Sequence, residues 1–469
     1  MKTAHQNLGV ESLSRNGARL LPNMWIKWAV FFFFVAALFG LALRYFFIGH
    51  LPAFVDYKNI LHAHSHLALL GWGYLLVSGM LLFTFVPQPL RRNSYKIILI
   101  LNILANLGMM ATFPVQGYGP GSIAFSTLHL LVSYVFSFRF LKDIKGLTST
   151  PYLSLIKYGV RWMVLSSVGL WSIAPVGIIL GKLHPLYHLS VQWFLHFQLQ
   201  GWFVYCLLGL LLFFLKKGNN LLSFSKKEEL YLHLSLFLTF GGTIFHSYAW
   251  MGWYWLNLIG VGLQAYVLFR LLLPLWNCTF SNFYLAEKWV KRLIALGIIS
   301  LLLKATLQLI LVIPDVLAAS HYIRSYVIAF IHLILLGAVT FGIGGMAIQS
   351  RIFPSNTASI SGWYILASGF LITELLLFGQ GTLAWAKWGS IPAYHQIMFF
   401  GSLLFPIGLG MVFVSFYTKG QKDLLCPSTS NLTTKSKNHE KPTKTVSQKH
   451  SSTFSLGNDP ISELWTKTT

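Results

Sequence analysis

Apolar runs of about 20 residues, separated by short polar stretches, recur along the chain from residue 28 to residue 417. Each is long enough to cross a hydrocarbon core about 30 Å thick as a helix. The runs lie near 28–48, 62–86, 96–113, 123–141, 160–181, 190–215, 230–249, 252–274, 293–313, 326–348, 361–385 and 394–417. Alternating ten-residue segments, the mark of a membrane barrel, are not what this pattern contains. Glycine and proline within the runs are compatible with helix, because neighbouring helices in a bundle satisfy freed backbone groups. The pattern therefore predicts an all-α membrane protein with twelve transmembrane helices.

Composition agrees: 55% of residues are hydrophobic, 16% aromatic and only 10% charged, which excludes an ordinary water-soluble enzyme. The net charge of +23 would suit nucleic acid, but its distribution assigns it elsewhere. With the N-terminus inside, fifteen Lys and Arg residues fall in inner loops or inner helix ends, among them Arg91, Arg92, Lys216, Lys217, Lys291 and Arg292. Only Lys58, Lys182, Arg324 and Lys387 fall outside. This positive-inside bias, with an even helix count, predicts both termini in the cytoplasm of a cell whose plasma or inner membrane holds the chain. The bilayer is the expected partner, and nucleic acid is not.

Three regions follow. Residues 1–24 lack a cleavable apolar core and read as a cytoplasmic N-terminal segment, 25–418 form the membrane domain, and 419–469 read as a disordered basic tail. Cys206, Cys278 and Cys426 are scattered and imply no disulfide framework.

The histidines carry the chemical signal. Outside the two tails, twelve of thirteen fall in outer loops or outer helix halves, and only His233 lies toward the cytoplasm. An imidazole at the membrane interface often just reaches the headgroups, much as tyrosine does. One or two turns inside a helix it needs a partner and marks a functional interior.

Three segments repeat the spacing of a histidine followed five residues later by glycine: HLALLGW (66–72), HFQLQGW (196–202) and HLILLGA (332–338). They open helices 2, 6 and 10, spaced by 130 and 136 residues, each interval equal to four helices. That is the signature of three parallel pseudo-repeats of four helices. A second set supports it, because His129 lies 63 residues after His66 and His395 lies 63 after His332. The middle repeat departs, with Ile259 at the matching position and His246 instead near the outer end of helix 7.

Neutral imidazole on rigid helices suits haem iron and copper. In HAHSH (62–66), His62 and His66 share a helical face while His64 points to roughly the opposite one. His66 matches the repeat and pairs naturally with His332 as haem ligands. His62 is the alternative on the same face, and His64 ranks third. His196 and His246 form the candidate copper constellation, with His129 and His395 as further candidate metal ligands.

Twelve helices in three arcs, with histidines near the outer ends of helices 2, 6, 7 and 10, resemble subunit I of the haem–copper oxidase superfamily. In that family helices 2 and 10 hold haem and helices 6 and 7 hold copper. WFLHFQLQGWF around His196 is similar to helix 6 of the nitric oxide reductase branch, with Gln200 where that branch tends to carry glutamate. Locally, HSHLALLGW (64–72) and HLILLGA (332–338) resemble signatures of the NnrS family of haem- and copper-containing membrane proteins linked to nitric oxide tolerance. The oxidases carry two histidines on helix 10, whereas Phe330 and Ile334 flank His332 here, and their His pair on helix 7 is reduced to HSY (246–248).

The resemblance implies a haem-binding, haem–copper-like membrane protein that handles nitric oxide or oxygen. If it is an enzyme it is an oxidoreductase, and its electron donor would be a small subunit or a cytochrome. Only Glu374 and Lys304 lie deep in predicted helices as proton-carrying groups, so a redox-driven proton pump is not expected. The competing readings are a metal or small-solute transporter and a non-catalytic membrane sensor or assembly factor.

Overall fold

The computed structural model describes residues 2–86, 92–215, 224–281 and 287–418, so the basic tail expected from 419 lies outside the described residues. Among the described residues there is no strand, and eleven helices are long and apolar enough to cross a membrane. In chain order the helices are α1 (Asn23–Tyr45), α2 (Tyr57–Phe85), α3 (Asn93–Gln116), α4 (Pro120–Asp143), α5 (Pro151–Ile179), α6 (Pro185–Phe214), α7 in two pieces (Lys226–Leu238 and Phe240–Ser247), α8 (Met251–Phe280), α9 (Lys288–Ile310), α10 (Arg324–Gln349), α11 (Thr357–Ala386) and α12 (Tyr394–Ser415). The first helix continues back to Lys2, so the N-terminal segment extends α1.

Local sequence explains the starts. Asp56 accepts the Asn59 N–H at 2.9 Å to cap α2, Asn356 caps α11 in the same way, and Ser225 with Glu228 forms a capping box on α7. Pro120, Pro151 and Pro185 open α4, α5 and α6 at the position where a missing N–H costs nothing.

The expected seventh span departs from a single rod. Its pieces, 13 and 8 residues long, meet at Thr239, whose hydroxyl donates to the Ser235 carbonyl at 2.7 Å. Such back-bonding bends helices. Beyond the bend, Gly241 and Gly242 let α8 come close: a methyl group there would sit 2.8 Å from the Trp253 carbonyl oxygen and 2.9 Å from Asn257 Oδ1.

Burial separates the helices into two layers. In their most apolar stretches α6 is 100%, α2 83% and α10 67% buried, against 22–56% for the other spans. The outer layer is closed by α1 packing against α12.

All three inner helices depart from α geometry at the same place. Leu67–Gly73, Phe197–Phe203 and Leu333–Phe341 are π-helical, and each begins directly after the histidine of the repeat. A wide turn is rare, and it frees a carbonyl that must find another donor. On α2, His129 lies against the Leu70 carbonyl, and on α10 the Thr340 hydroxyl donates to Leu335 at 2.8 Å. The three repeat glycines also do the same job. A methyl group at Gly71 would fall 2.7 Å from Phe32 Cβ of α1, at Gly201 2.6 Å from Trp162 Cβ of α5, and at Gly337 2.5 Å from Ser300 Oγ of α9. Each inner helix is thus seated through its glycine on the helix that precedes it.

The π-helical segments of α2 and α6 both contact that of α10. Trp72 Nε1 donates to Thr340 Oγ1 at 2.9 Å, tying α2 to α10 in the dry centre. Thr340→Val would orphan the indole N–H and the Leu335 carbonyl, at a cost of about 1–2 kcal/mol. A lowered thermal unfolding midpoint with a shifted Trp emission is the expected reading. An unchanged midpoint would show that this bond contributes nothing.

Candidate functional site

The histidines divide into three groups around the inner helices. On the α1 side of α2, His64 Nδ1 lies 2.8 Å from the Ala36 carbonyl oxygen. A carbonyl only accepts, so the proton is on Nδ1 and Nε2 keeps its lone pair. The ring fits because position 40 is glycine: a methyl group there would be 2.9 Å from His64 Cε1. His64 and Arg44 lie within electrostatic reach of His332. His332 Nδ1 faces Glu374 Oε1 of α11 at 3.7 Å, and neither atom has a hydrogen-bond partner.

Arginines gather at the same end. Arg44 is half-buried, with Tyr57, Tyr394 and Arg324 in its field, and Arg324 donates to Tyr57 Oη at 3.3 Å. Among the described residues no carboxylate pairs with Arg44 within 4.0 Å.

The opposite face of α2 forms a second group. His66 Nδ1 donates to the His62 carbonyl at 2.8 Å, so its Nε2 is also unprotonated. Its ring packs on Phe113 of α3 with centroids 4.2 Å apart, and His62 packs on Tyr118 at 4.5 Å. His129 of α4 is 3% exposed, lies within the field of His66, and leaves Nε2 buried without a partner.

The third group lies between α6, α7, α8 and α9. His196 Nε2 donates to the Leu236 carbonyl at 2.7 Å. Lys304, fully buried on α9, donates to Gln264 Oε1 of α8 at 2.7 Å. His246 is exposed and packs on Tyr322 at 5.0 Å. His395 is exposed and stacks on Phe47 at 4.7 Å, unlike its repeat partner His129, which is buried.

The sequence-predicted residues are therefore brought together only in part. His64 lies within electrostatic reach of His332, and His66 within reach of His129 with the His62 ring 6.5 Å from it, while His246 and His395 are exposed. Gly40, Arg44 and the role of Glu374 opposite His332 carry no motif; a glycine one helix away from a histidine gives no signal along the chain.

No protein-family model matches the sequence, and no curated protein matches it. The fold does match solved structures. One is a heme–copper terminal oxidase dimer solved by electron cryomicroscopy, with a TM-score of 0.63 at 12% identity, covering 87% of this chain and 84% of that one. The chain is thus a multi-pass membrane protein with the fold of a haem–copper oxidase subunit.

Proposed function

We propose that this chain binds haem between α2 and α10, within three four-helix arcs of the oxidase type, and that His64 and His332 would hold it. The observation that carries the reading is the pair itself. His64 bonds through Nδ1 to the Ala36 carbonyl at 2.8 Å, and His332 Nδ1 faces the Glu374 carboxyl at 3.7 Å without a hydrogen bond. The outer bond of His64 fixes its ring and leaves Nε2 for a metal. Gly40 makes room for the His64 ring, and the half-buried Arg44 with Arg324 supplies cationic partners for the two carboxylates a haem carries. Bound there, haem would supply one-electron chemistry and, once a ligand position opens, binding of a diatomic gas such as nitric oxide or oxygen.

Full-length protein purified from haem-sufficient cells should carry about one haem per chain by the pyridine haemochrome assay. Haem-free protein from such cells would end the reading in favour of a transporter or scaffold. Gly40→Val should reduce haem occupancy at least about fivefold while moving the unfolding midpoint by only a few degrees, because the new methyls displace the His64 ring without touching a backbone crossing. Full occupancy in that variant would remove His64 from the ligand set.

A further inference from the structure

We propose that His62 and His66, one turn apart on the face of α2 turned away from His64, chelate a single zinc or copper(II) ion arriving from the aqueous face at which α2 begins. Side chains at i and i+4 lie one above the other on a helix, so two imidazoles with that spacing can share one small ion. They cannot take the two axial positions of a haem, which lie on opposite sides of its plane. The His66 ring is set for the role. Its Nδ1 donates to the His62 carbonyl at 2.8 Å, which fixes the ring and leaves the Nε2 lone pair for a cation. Neutral imidazole suits both zinc and copper. The two rings stand 6.5 Å apart, centroid to centroid, at 77°. A metal sits about 2.0–2.1 Å from each imidazole nitrogen, so two rings sharing one ion have centroids about 5 to 6.5 Å apart. The pair is at the wide end of that range, and a turn of the part-exposed His62 ring about its side-chain torsions closes it.

The turn between α3 and α4 is fastened over the pair. Asn59 Nδ2, three residues before His62, reaches the Val115 carbonyl at 3.5 Å. Gly117 takes a left-handed φ of 54°, and a methyl group there would collide with Asn59 Oδ1, so only glycine lets the turn sit this close to α2. Tyr118 is thereby laid 4.5 Å from the His62 ring and 5.7 Å from the His66 ring, while Phe113 backs His66 at 4.2 Å. Tyr118 is 56% exposed, so the pair lies under a loop at the surface and not in the interior. Asp56 and Lys58 both lie in the field of His62 with opposite signs, so the first turn of α2 sets no net charge against a cation. Among the described residues no third His, Cys, Asp or Glu side chain completes a metal-holding group, so the remaining coordination positions fall to water and the ion is exchangeable.

The test is calorimetric titration of the full-length protein, purified with its haem, with zinc chloride. His62→Ala and His66→Ala should each weaken zinc binding at least about tenfold, because each leaves a single imidazole where two acted together. His395→Ala, which removes an exposed imidazole elsewhere, should leave it unchanged. Zinc bound equally by the wild type and both variants, or not bound saturably at all, would overturn the proposal. Haem is counted in the same samples, and its absence bears only on the haem reading. A second measurement needs no variant: one equivalent of copper(II) added to the unmodified chain should give an electron paramagnetic resonance signal coupled to two imidazole nitrogens. Coupling to one nitrogen or to none would equally overturn the chelate.

Discussion

His332→Ala should abolish the Soret band, and His64→Ala should do the same or leave a five-coordinate remnant, while His66→Ala should retain most of the bound haem. The reason is direction. His64 leans across to α1, bonded 28 residues away to Ala36, on the opposite face of α2 from His66. His66 bonds within its own helix and packs against Phe113 of α3 on the other face. Loss of an imidazole that would hold the haem should lower occupancy about tenfold or more. Haem content and absorption of the three variants, prepared in parallel, check this. Retention in His64→Ala with loss in His66→Ala would move the site to the α3–α4 side of α2.

Gly297→Val should be strongly damaging. On α9, a methyl group at position 297 would meet Gly342 of α10 at 2.7 Å from both Cα and N, and the Ala338 carbonyl at 3.1 Å. These are backbone atoms, so no side chain can rotate out of the way, and the helices must separate. Overpacking typically costs 1–3 kcal/mol, and a backbone crossing belongs at about 3 kcal/mol or above. Because α10 carries His332 and its π-helical segment begins one residue later, the separation should also remove haem. Loss of the monodisperse peak in detergent, or a midpoint lowered by about ten degrees or more, is the expected result. A variant that folds and binds haem normally would mean that α9 and α10 can slide apart freely.

The spanning helices were readable from hydrophobicity because lipid leaves a backbone few alternatives to the helix. The broken α7 was not, since its bend depends on Thr239 bonding back to Ser235 and on how closely Gly241 and Gly242 meet α8. The repeat of histidine and glycine marks a π-helical turn directly after each histidine and a glycine seated on the preceding helix. The helical wheel separates His64 from His62 and His66 correctly. Which face looks toward α10 depends on tertiary packing, and no pattern along α2 encodes it. Glu374 stood out as an intramembrane carboxyl, but its position opposite His332 joins residues 42 apart in sequence and required the fold.

The most direct test of the haem site is low-temperature electron paramagnetic resonance of the oxidised full-length protein, combined with its haem count. The account predicts about one low-spin ferric haem per chain with the g-values of bis-imidazole coordination, lost in both His64→Ala and His332→Ala. A protein without haem, or a haem whose signal is unchanged in both variants, would contradict it.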